Sequence, residues 1–160
     1  MKKIFILLVT IGLLASCGGT SKVAKEARKS FDGQWTLTSV TYPNNPGQFN
    51  VTLFNEAQAS CFENSNWDFV SNNNRGTYTV SGTGCDGETN QFIWSIDEEN
   101  TPQGIYDFLL KPTNEDYKST TGNEGFRLNL QSLTDTNMTW SQTVSLDGSP
   151  FTIKMNFTKQ

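Results

Sequence analysis

The stretch FRLNLQSLTDTNMTWSQTVSLDGSPFTIKMNFT, residues 126–158, decides the fold. Phe126, Leu128 and Leu130 alternate with Arg127, Asn129 and Gln131. Met138, Trp140, Gln142 and Val144 alternate with Thr139, Ser141, Thr143 and Ser145. Phe151, Ile153, Met155 and Phe157 alternate with Thr152, Lys154, Asn156 and Thr158. Successive side chains of a strand point to opposite faces, so period-2 alternation marks strands with one face buried and one in water. Asp147-Gly148 lies between the last two runs and is a strong hairpin signal.

The same period extends upstream. Trp35 and Leu37, Phe49, Val51 and Leu53, Trp67 and Phe69, and Tyr78 and Val80 all alternate with polar residues. So do Phe92, Trp94 and Ile96, and Tyr106, Phe108 and Leu110. Asn72 to Gly76, Asp86-Gly87 and Pro102-Gln103-Gly104 supply turns, and Thr113 to Asn123 is a longer polar loop. Only Asn55 to Phe62 reads as a short helix inside this region. Eight or nine short strands with short links suit a β-sandwich or an up-and-down barrel. The outward faces carry Thr, Asn, Ser and Gln, which suits water and not lipid.

The beginning of the chain follows another pattern. Lys2 and Lys3 precede an apolar run, Ile4 to Leu14. That run is shorter than the ~20 residues needed to cross a bilayer and fits the core of an export signal. Leu14-Ala15-Ser16-Cys17 resembles the lipobox of bacterial lipoprotein precursors. The resemblance implies cleavage after residue 16 and lipid on Cys17. Several acyl chains on one residue make a stable anchor where a single chain holds weakly. Residues 17–30 then read as a tether. Lys22 to Lys29 could wind into a turn or two of helix but lacks an apolar face; its four cations can meet lipid headgroups, though such a run is more often only a solvated spacer. Residues 31–160 form one domain.

Composition bounds the function. The chain has 12 basic and 16 acidic residues and no histidine. Loss of Lys2 and Lys3 leaves 10 against 16, a net charge near −6. No basic stripe points to nucleic acid. Without histidine the commonest general base and metal ligand is missing. Asp97-Glu98-Glu99 reads as a solvated turn, and Asp86, Glu88, Glu115 and Asp116 fall in loops without calcium-loop spacing. Gly82-Thr83-Gly84 is not followed by a helix and is no phosphate loop. The sequons at Asn50, Asn137 and Asn156 fall in expected strands of a bacterial-type chain and read as chance. The expectation is a protein without catalytic residues, metal or cofactor.

With Cys17 lipidated, Cys61 and Cys85 remain. In an exported protein such a pair is more often bridged than free, the alternative being two buried thiols.

Gly33-Gln34-Trp35 resembles the G-x-W start of lipocalins. Cys61, Asn64-Ser65-Asn66, Trp67-Asp68-Phe69, Arg75-Gly76, Thr77-Tyr78-Thr79 and Cys85 resemble the lipocalin-like domains of bacterial lipoproteins, frequent in Bacteroidetes. The resemblance covers residues 31–160. It implies an all-β fold: an antiparallel, up-and-down, eight-stranded barrel closed at one end. Gly33 and Trp35 would close that end. Lipocalins commonly place an arginine against this tryptophan, and the final strand here offers Lys154 and Lys159.

Eight strands enclose space for side chains or one small ligand. Phe69, Tyr78, Trp94, Tyr106, Phe108, Phe126 and Trp140 are therefore expected either to line a pocket for a small apolar or amphiphilic molecule or to fill the barrel. The first alternative is a ligand-binding lipoprotein. The second is an adaptor or structural lipoprotein holding another envelope protein, with the Thr113–Asn123 loop as the contact. Gly18 is not the aspartate that retains some lipoproteins in the inner membrane, and no acidic run follows it. The expected location is the outer membrane, facing the periplasm.

Overall fold

The computed structural model describes residues 22–160, apart from residues 44, 46, 48 and 99–105. The export signal 1–16, Cys17 and the Pro102–Gly104 turn lie outside the described residues. Among those residues no helix is long and apolar enough to cross a membrane.

Eight strands close into one barrel in the order β1-β10-β9-β8-β7-β6-β5-β4. They are β1 (Gly33–Thr41), β4 (Ser65–Val70), β5 (Arg75–Thr79), β6 (Thr89–Asp97), β7 (Asp107–Thr113), β8 (Phe126–Leu133), β9 (Asn137–Leu146) and β10 (Ser149–Lys159). Every neighbouring pair is antiparallel. The last strand seals on the first, with Trp35 opposite Lys159 and Thr41 opposite Lys154. No barrel edge is left exposed, which removes the liability of open sheets. This closed, up-and-down barrel is consistent with a lipocalin-like fold.

The alternating residues face as the period requires. Trp67 and Phe69 of β4, Phe92, Trp94 and Ile96 of β6, and Phe151, Ile153, Met155 and Phe157 of β10 are all buried. Chain direction then sorts the connections. The last residues of β4, β6 and β8 share one end, the base, with the start of β1. The turns after β1, β5, β7 and β9 share the other, the mouth.

Three readings change. Residues 22–31 are a helix, α1 (Lys22–Phe31), where a solvated tether was expected. It does have an apolar face: Ala24 and Phe31 are fully buried and Ala27 packs against the core. Spacings of three, four and seven residues put these on one side of a helix. So short a helix is marginal alone, and packing against the barrel holds it. Its junction with β1 is pinned where the Ser71 amide donates to the Asp32 carboxylate, 2.7 Å.

The second change concerns the run at 49–53, which does not join the barrel. Only β2 (Thr52–Leu53) is strand there, paired with β3 (Ala57–Gln58) in a small separate hairpin at the mouth. The third is the expected helix at 55–62, which shortens to α2 (Ala59–Phe62). Here tertiary burial of Leu53, Phe54, Ala59 and Phe62 overrides the local pattern.

Candidate functional site

The seven aromatics expected to line a pocket divide into two groups. Phe69, Tyr78, Trp94, Phe108 and Trp140 are buried and project into the barrel. Phe126 and Tyr106 are half-buried and pack at its margin. The inner rings meet across the axis. Trp67 and Phe69 of β4 lie 5.5 and 5.8 Å from Trp140 of β9. Trp140 in turn lies 4.6 Å from Phe108 and 4.2 Å from Phe157. Most of these pairs are edge-to-face or tilted, the arrangements that ring quadrupoles favour.

Both ends are stoppered. At the base, Phe31 of α1 rests 5.9 Å from Phe69 and 5.4 Å from both Trp94 and Phe108. The Trp35 indole donates to the Phe31 carbonyl at 2.8 Å, tying strand to helix. Gly33 enters β1 at φ +107°, a region that disfavours any side chain. The Lys159 ammonium lies 5.1 Å over the Trp35 ring.

At the mouth, Phe54 and Phe62 seat on Trp67, with Phe54 also 5.3 Å from Phe126. Phe54 and Asn55 both have positive φ, 55° and 57°. A left-handed phenylalanine is strained, and burial of its ring offsets the strain. The next residue latches the plug: the Tyr78 hydroxyl donates to the Glu56 carboxylate. Burial raises the Glu56 carboxyl above its ordinary 4.5; the Tyr78 hydrogen bond opposes this and Asp86 adds to it. Burial, and then the bond to Glu56, push the Tyr78 phenol upward as well.

Cys61 and Cys85 are joined, 24 residues apart in sequence, with Cα atoms 5.7 Å apart. The bridge ties α2 to the β5–β6 connection beside the mouth. Among the described residues no three His, Cys, Asp or Glu side chains converge to hold a metal ion.

A concavity lies on the outer wall. It has a volume of about 640 Å³ and is bounded by the Asn73–Asn74 turn, β5 to β7 and the loop after β7. That loop is the Thr113–Asn123 stretch marked by its length and polarity. It folds back along the barrel, with Thr113 bridged to Ser119 and Lys111 donating to the Asn123 side chain at 2.7 Å. Sequence reading missed Arg75, Lys111 and Tyr117 here, because only the closed sheet brings them together.

The chain matches no protein-family model, no curated protein and no solved structure.

Proposed function

We propose that the protein is a lipid-anchored binding protein of the bacterial envelope that works without catalysis. Its barrel serves as a solid scaffold, and it holds a small amphiphilic ligand on its outer surface. Ring-to-ring contact across the barrel axis carries this reading, because a ligand in the lumen would first have to displace the Phe54–Phe62 plug. Eight-stranded barrels lie at the size where side chains alone can fill the interior. Lipid on Cys17, export by residues 1–16 and an outer-membrane address facing the periplasm belong to the proposal and rest on the lipobox-like sequence. The Cys61–Cys85 bridge supports passage through an oxidising compartment.

Native mass spectrometry of the protein, purified from its own cells without detergent, tests the scaffold reading together with a fatty-acid titration of tryptophan emission. Unchanged emission from the buried indoles is the expected result. A co-purifying lipophile that quenches them would relocate the site to the lumen. For the anchor, Cys17→Ser should abolish palmitate labelling and release the protein from membranes.

The adaptor reading has one observation in its favour. The β9–β10 hairpin runs past the mouth and leaves Val144 and Leu146 39% and 47% exposed. Crosslinking from this hairpin in intact cells would trap a single envelope protein if that reading holds.

A further inference from the structure

The outer-wall concavity is lined by two cations and no acidic side chain. Arg75 of β5 pairs directly with Ile93 of β6, and Ile93 pairs directly with Lys111 of β7. Residues opposite one another share a face, so the wall presents a row of cation, isoleucine, cation. Two strand spacings set the outer members about 10 Å apart at the backbone. The next outward row carries Ser95 paired with Leu109, and Leu109 is 37% exposed. Ile93 and Leu109 thus give the floor an apolar strip beside the two cations.

No acidic side chain lines this concavity. Among the described residues neither Arg75 nor Lys111 pairs with a carboxylate, whereas neighbouring Arg127 is held by Asp97 and Asp107. In a chain with an excess of acids, two unneutralised cations on one face are a local reversal of sign.

The arrangement is held in place. Asn114 accepts hydrogen bonds from the amides of Asp116 and Lys118 at 3.1 and 2.9 Å, and its own amide donates to the Lys118 carbonyl. This turn sets Tyr117 at φ +58°, a strained conformation for a tyrosine. The result is that the Tyr117 ring lies 3.9 Å from the Arg75 guanidinium carbon. Stacking occupies the flat face of a guanidinium and leaves its N–H edges free, the edges that grip a carboxylate in a bidentate fork. Asn73 and Asn123 add amides at the rim.

We infer that this concavity binds a small organic carboxylate, its acid group between Arg75 and Lys111 and its apolar body along Ile93 and Leu109. The inference rests on the outer-surface reading above and gives it a ligand class. A volume of about 640 Å³ lies within the usual range for small-molecule sites.

Amide and indole NMR shifts of the labelled protein, titrated with hexanoate, hexanol and hexyl phosphate, form the test. Hexanoate should give saturable shifts at Ile93, Leu109, Lys111 and Tyr117, and hexanol should bind about tenfold more weakly or not at all. Arg75→Gln and Lys111→Gln should each weaken hexanoate by about fivefold or more while leaving the remaining spectrum folded. Added salt should weaken it further. Equal binding of hexanol, indifference to both substitutions, or absence of saturable shifts at these residues would overturn the inference. Tighter binding of hexyl phosphate would replace carboxylate by phosphate as the ligand class. Shifts centred on the indoles of Trp67 and Trp140 would instead sink the solid-scaffold reading, so the two failures are told apart.

Discussion

Gly76 faces the barrel interior from β5, and a methyl group there would lie 2.2 Å from the Phe92 ring and 2.6 Å from the Asp68 carbonyl. The ring sits where a side chain at position 76 would otherwise be. Gly76→Ala should therefore cost roughly 1–3 kcal/mol, read from urea denaturation. Glu56 makes a prediction of opposite character. Its carboxyl is raised above 4.5 in the folded chain, chiefly by burial. A raised folded value means the stabilising contribution is present below the unfolded value and is lost as pH rises through the folded one. Glu56→Gln should flatten the stability profile above pH 4.5 while keeping a side-chain oxygen that accepts from Tyr78. Denaturation midpoints at several pH values measure this, and a variant as pH-dependent as the parent would count against it. Single residues such as these are hard to foresee from sequence. Arg75-Gly76 reads as turn chemistry, and its packing role exists only once β6 lies alongside.

Helix α1 is an element whose composition misleads. Four cations in eight residues suggest a solvated spacer, while Ala24, Ala27 and Phe31 on one face seat it against the barrel. Phe31 then works as the basal plug. Phe31→Ala should cost about 3–5 kcal/mol, the range for a large buried ring, where a tether residue would cost almost nothing. The two measurements to compare are the unfolding midpoint of this variant and that of Lys25→Ala on the exposed side. At the mouth, the equivalent fastening is covalent. Opening the Cys61–Cys85 bridge frees a loop of 24-residue separation, worth about 3.5 kcal/mol on the chain-entropy model. Thermal melts with and without reductant should show that loss.

Across the whole molecule, the packed axis predicts how ligands behave. Trp140 touches rings from β4, β7 and β10 at once. Trp140→Ala should leave a cavity bounded by Trp67, Phe69, Phe108 and Phe157, because closed-barrel walls cannot collapse inward freely. Benzene should raise the melting temperature of this variant and leave the parent unchanged. A parent that responds equally would mean that its lumen is already open. Such a result would restore the interior as the binding site.

The sequence by itself determined the strand class and, for the barrel strands, which face is buried. Period-2 alternation is a local property, and each strand from β4 to β10 carries it within its own few residues. It also marked Cys61 and Cys85, and the long loop after β7, by chemistry and length alone. Whether the aromatics line or fill the barrel is a matter for the tertiary structure alone. That depends on which rings meet across the axis, from β4 to β9 and from α1 to β7, and on a mouth plug held in a strained backbone. The same holds for the outer-wall site. Arg75, Ile93 and Lys111 are spread over 37 residues of chain and become neighbours only through the register of three strands. Register arises from the closure of the whole sheet, and no local stretch of sequence contains it.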